Sequence, residues 1–159
     1  MDIFQEEYDR LEEALRRLRR DSNAKAVFLI DKNGQHIAMA GETGEFDSTS
    51  LASLTAGNVA ATDGLAKLIG EREFSVLFHE GQRDHIHISI VARRAILLVI
   101  FDERSSLGLV RLRVKRASAE LAKVFDEMTA KTEHGGVGVA EVSPFSEITD
   151  EDIDALFSD

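Results

Sequence analysis

From Phe4 onward an apolar side chain recurs at the four-three spacing of one helix face: Phe4, Tyr8, Leu11, Leu15 and Leu18. The pattern predicts an amphipathic helix over residues 2–21. Acidic residues crowd its first half, and Arg16, Arg17, Arg19 and Arg20 its end, an order that complements the helix dipole. Ser22-Asn23 breaks the pattern. AKAVFLID (24–31) then reads as a buried strand, Asp31-Lys32-Asn33-Gly34 as a hairpin turn, and QHIAMAG (35–41) as the returning strand. A loop rich in Gly, Glu and Thr leads to a helix over 47–69, followed by a third strand, EFSVLFHE (73–80). HIHISIVA (85–92) alternates, with Ile86, Ile88 and Ile90 on one face. AILLVIFD (95–102) is apolar throughout, as for a strand covered on both faces. Leu107, Val110, Val114, Ala117, Leu121, Val124 and Met128 keep one stripe along a last helix over 106–131. The order α-β-β-α-β-β-β-α, with short strand connections apart from one helical crossover, predicts an α+β fold with a five-stranded, mainly antiparallel sheet.

The helix over 47–69 carries two stripes. At about 100° per residue, Leu51, Leu54, Leu65, Leu68 and Ile69 share one side, which reads as the core-facing stripe. Beside it lie Ser53, Ala56, Gly57, Ala60 and Gly64, all tiny. A helix-interior glycine costs about 1 kcal/mol relative to alanine. A second backbone at close range would offset that cost, either a partner's or the chain's own sheet. Asp47, Ser48 and Thr49 offer N-cap oxygens, and Gly70 a helix stop.

An apolar content of 43% supplies a core for one domain, expected over 1–132. The charge is unevenly spread. Residues 133–159 hold eight of the 29 acidic residues and none of the 19 basic ones, so of the net −10 only −2 belongs to residues 1–132. HGGVGVAEVSP (134–144) reads as a flexible tether ending in the only proline. Beyond it Thr149 and Asp152 resemble a capping box, and Ile153, Leu156 and Phe157 share one side of a short helix within 149–158. An acidic amphipathic segment on a tether suits docking into a partner's groove; a solubilising end is the plainer reading.

Little here points to catalysis. There is no cysteine, hence no disulfide and no thiolate metal site. No signal peptide is expected at the charged opening, and the longest apolar run, AILLVIF (95–101), is too short to cross a bilayer, so a cytoplasmic protein without membrane insertion is expected. The acidic balance argues against binding nucleic acid. His85 and His87 share a strand face, and a His-x-His pair can bind metal. With a turn at 81–84, however, His79 faces the Ile86 side, away from both. Surface histidines are the reading, and no metal or cofactor site is expected. GGVG (135–138) lacks the lysine and hydroxyl residue of a phosphate loop, and no serine sits in a nucleophile motif. In RLRVKR (111–116), Leu112 falls off the apolar stripe and Arg111, Lys115 and Arg116 read as a solvated helix face. Arg93-Arg94 reads as an exposed turn.

The element order, the hairpin AVFLIDKNGQHIAMAG (26–41) and the strand-to-helix passage LLVIFDERSSLGLVRLRVKRASAEL (97–121) together resemble the Roadblock / dynein-light-chain family over about residues 3–130. The resemblance implies a homodimer with one continuous sheet. The third strands would pair and the central helices lie side by side, so Ser53, Ala56, Gly57, Ala60, Gly64, Phe74, Val76 and Phe78 become the expected dimer or partner interface. It further implies a platform for a Ras-like small GTPase (MglA-like), acting in bacterial cell polarity and motility near a cell pole. Such a platform stimulates GTP hydrolysis by fixing the GTPase's own switch regions and has no active site of its own. A structural adaptor that changes no catalytic rate is the alternative. The tail lies outside the family pattern, and Ile153, Leu156 and Phe157 remain its expected docking residues.

Overall fold

A computed structural model describes residues 4–142, with side chains through 131. In chain order the elements are α1 (Gln5–Ser22), β1 (Ala26–Asp31), β2 (His36–Gly41), α2 (Ser48–Leu68), β3 (Val76–His79), β4 (His85–Val91), β5 (Ala95–Phe101) and α3 (Leu107–Val142). The chain divides into two units, Met1–Phe125 and Asp126–Asp159. The first contains the whole sheet.

The strands run in the order β2-β1-β5-β4-β3, and every neighbouring pair is antiparallel. The β1–β2 turn is held by Asp31, whose carboxylate accepts from Asn33 N at 2.9 Å and Gln35 N at 3.0 Å. Gly34 takes φ +90° there, where a Cβ would be strained. β2 and β3 are the two edges, so α2, which joins them, must cross one face of the sheet.

Successive side chains of a strand point to opposite faces. On one face Ala26, Phe28, Ile30, Ile88, Ile96, Leu98 and Ile100 form a buried cluster with Ala52 and Val59 of α2. The alternate residues Val27, Leu29, Leu97, Val99 and Phe101 are buried on the other face. That is the layer of α1 and α3, tied together by Arg17–Glu120 at 3.0 Å. The expected stripes of these helices are buried at Leu11, Leu15, Leu18, Val110, Val114, Leu121 and Val124.

Two of the boundary differences bear on the expected interface and tail. β3 begins at Val76, leaving Phe74 before the strand. α3 continues past 131 to Val142, through the glycines read as a tether. Glycine lowers helix propensity by only about 1 kcal/mol per residue, which does not by itself end a helix. The expected docking segment 149–158, with Ile153, Leu156 and Phe157, lies outside the described residues.

Candidate partner surface

α2 starts where Asp47 caps it. One carboxylate oxygen accepts from Ser50 N at 3.2 Å and the other from Ser50 Oγ at 2.7 Å, bonds that hold the Asp47 pKa below the usual carboxylate range. Gly70 follows the helix at φ +81°, the left-handed stop expected. The loop before the cap is anchored by Arg104 on Glu42 at 3.1 Å and by Lys25 on Glu45 at 3.4 Å.

The orientation of α2 is the reverse of the one expected from its leucines. The buried face is Ala52, Thr55, Val59 and Ala66. Leu54, Leu65, Leu68 and Ile69 are 74%, 59%, 83% and 68% exposed, and only Leu51 of that stripe touches the core. The physical reason is volume. The sheet already fills this layer with Phe28, Ile30, Ile96 and Leu98, so the helix lies against it with small residues and turns its large ones outward. A signal for this was present in the sequence. α2 has only two charged residues, Asp63 and Lys67, so no charged face marks one side of it as the solvent side.

The expected small residues divide between the two sides. Ser53, Gly57, Ala60 and Gly64 are exposed on the outward face, whereas Ala56 is half-buried against the core. Among the described residues, a Cβ added at Gly57 or Gly64 would meet no atom within 4 Å beyond its chain neighbours and the helix's own backbone. Packing on the chain's own sheet therefore does not explain either glycine.

β3 is the other half of the surface. It is an edge strand of four residues, hydrogen-bonded among the described residues to β4 alone. Its register sets Leu77 beside Ile88, on the α2 side, and Val76 beside Ser89 and Phe78 beside His87, on the other. Val76 is 49% and Phe78 38% exposed, the latter stacked on Phe101 with centroids 6.1 Å apart. The expected interface residues are thus not one patch. The α2 set lies over one face, Val76 and Phe78 on the opposite face, and the open edge of β3 links them. Asn58 of α2 reaches His79 of β3 at 3.2 Å and ties the helix to that edge. Phe74 is half-buried in the connection between them.

The histidines separate as expected, with His79 beside Ile86 and away from His85 and His87. His87, read as a surface residue, is instead buried under α3. Burial, then the charge of Arg111, pushes its pKa down. Among the described residues no three His, Cys, Asp or Glu side chains are grouped to hold a metal ion. No described helix is long and apolar enough to cross a membrane. Arg111, Lys115 and Arg116 are exposed, as is Leu112 beside them.

The Roadblock/LC7 domain family model matches residues 10–101. Among solved structures, MglB of Myxococcus xanthus is 57% identical, with a TM-score of 0.76, covering 80% of this chain and 96% of its own. The gliding protein MglB of Thermus thermophilus is 36% identical, with a TM-score of 0.74, covering 79% of this chain and 95% of its own. An MglB in a tetrameric arrangement is 35% identical, with a TM-score of 0.73, covering 79% and 94%. No protein of curated function matches the chain.

Proposed function

The chain belongs to the Roadblock/LC7 family, and on that premise we propose that it is a homodimeric regulatory partner of a Ras-like small GTPase of the MglA kind. The dimer forms by pairing of β3 edges into one continuous sheet, with the two α2 helices side by side. It presents a platform that holds the GTPase's own switch residues in position for hydrolysis. The chain contributes no catalytic residue and no cofactor. By its likeness to MglB, one example of which is described as a gliding protein, its setting is cell polarity and gliding motility, in the cytoplasm at a cell pole. The acidic segment with Ile153, Leu156 and Phe157 adds a second contact to the GTPase.

The observation that carries this reading is the outward face of α2. Exposed Leu54, Leu65 and Leu68 run beside the exposed small residues Ser53, Gly57, Ala60 and Gly64, next to an unpaired strand edge. Exposed large apolar side chains in such number on one helix mark a surface that another protein covers. An open edge strand is the backbone counterpart of the same demand. Small residues let a second backbone approach closely.

The test is single-turnover GTP hydrolysis by an MglA-like GTPase, with and without this protein and its Ala60→Arg, Gly64→Arg double variant. Stimulation by the native chain and its loss in the variant are expected. Undiminished stimulation by the double variant would remove α2 from the contact. Nucleotide-dependent binding with an unchanged hydrolysis rate would assign the alternative, a structural adaptor of the dynein-light-chain type.

A further inference from the structure

The sheet face turned toward α3 holds two polar side chains that the proposed partnership does not use. His87 and Ser89 point the same way from β4, and are 2% and 5% exposed. Among the described residues neither His87 Nδ1 nor Ser89 Oγ has a hydrogen-bond partner. A buried polar atom left without a partner is destabilising, because it gives up its hydrogen bonds to water and gains none in return. Valine at both positions would fill this layer without that cost, so the polar pair calls for a purpose other than packing.

Both residues line a cleft of about 270 Å³ between β4, the start of β3 and α3. A water's share of liquid volume is about 30 Å³, so the cleft has room for a small multi-atom group. Its α3 wall is Arg111, Val114, Lys115 and Ser118, and Ser75 adds a further hydroxyl. No lining residue is acidic, in a chain whose net charge is −10. The two cations are exposed, and the field of Arg111 reaches the His87 ring, where it opposes protonation.

We propose that this cleft binds an oxyanion, a phosphoryl or carboxylate group held between Arg111 and Lys115, with Ser89 and His87 donating to it from the floor. The chemistry excludes the other ligand classes. A metal ion would meet two positive charges and no carboxylate. An apolar ligand would leave the polar floor as unpaired as before. An oxyanion supplies the acceptors both floor groups lack, and charge-assisted hydrogen bonds to such a group are about twice as strong as neutral ones. The site lies across the sheet from α2; Val76, which also lines it, is one of the residues expected at the β3 dimer edge, so the cleft adjoins that edge.

The experiment is titration of the full-length protein with inorganic phosphate, and separately with acetate, at ionic strength fixed by sodium chloride. The readouts are calorimetry and the imidazole resonances of His87. A saturable shift of the His87 ring is expected, with one site per chain. Arg111→Gln with Lys115→Gln should weaken it at least tenfold, and Ser89→Ala at least threefold. The double variant changes exposed side chains only, so its urea midpoint should stay at the native value. Saturation by phosphate alone assigns a phosphoryl group; saturation by acetate at equal or lower concentration assigns a carboxylate. Shifts that rise linearly with either salt, or that are identical in native protein and double variant, would overturn the proposal.

Discussion

Gly34, in the β1–β2 turn, lies against the backbone of Ser53 in α2: a Cβ built on the glycine would stand 3.2 Å from Ser53 Cα. The same Cβ would be 3.6 Å from that of Ala56. The turn residue is thus a glycine because the chain's own hairpin rests on α2, and of the small residues it is the half-buried Ala56 that faces inward there. A Cβ at Gly57 or Gly64, one and three helical turns beyond Ser53, would meet open space among the described residues. What looked like one stripe of small residues has two causes, one internal and one external.

Gly34→Ala should therefore destabilise the fold by about 1–3 kcal/mol, since it adds a side chain at φ +90° and at a close backbone contact. Gly64→Ala meets open space in a helix interior and should stabilise the chain by up to about 1 kcal/mol. Urea midpoints of the two variants, with the slope unchanged, measure both effects. A neutral Gly34→Ala would mean the turn does not rest on α2.

The reversed face of α2 gives a second contrast. Val59→Ala removes buried volume and should cost about 2 kcal/mol. Leu54→Ala, at an exposed position, should change the stability of the isolated chain by less than about 0.5 kcal/mol. Leu65→Ser with Leu68→Ser should instead weaken self-association at least tenfold, or about 1.4 kcal/mol, as read by sedimentation over a concentration series. An unaltered sedimentation profile would mean these leucines are not covered in the dimer.

His87 sets a pH dependence. Its pKa is lowered from the ordinary 6.5, first by burial and then by Arg111, with Lys115 lining the same cleft. The unfolded ring takes up a proton as pH falls through about 6.5, whereas the folded ring still resists it. Below that pH the unfolded state binds more protons, so stability falls; above it both states are neutral and the effect disappears. The urea midpoint of the native protein should drop more steeply between pH 7 and pH 5 than that of His87→Gln. Parallel curves would show that the ring is not held neutral by the fold.

Deletion of residues 146–159 should leave the thermal unfolding of the remaining chain unchanged, because the sheet and its helices lie outside the segment. It should lower affinity for the GTPase, as titrated by calorimetry. Identical titrations with and without the segment would rule out a docking role for Ile153, Leu156 and Phe157.

The sequence by itself determined the element order, the all-apolar β5 buried on both faces, the Asp31–Gly34 turn, a cap among Asp47, Ser48 and Thr49, and the stripes of α1 and α3. Each of these is a local matter: a period of two or 3.6, a cap oxygen, or a glycine at positive φ reads the same in any tertiary setting. Charge and composition also placed the acidity in the last residues of the chain. Only the tertiary structure decided which side of α2 faces inward. Periodicity finds stripes but does not rank two apolar ones, and the choice depends on how much volume Phe28, Ile30, Ile96 and Leu98 leave beneath the helix. The fate of His87 was decided in the same way. Alternation placed it beside His85 on one strand face, but α3 covers the one and not the other. Burial beneath another element comes from residues distant in the chain, and no spacing within β4 encodes it.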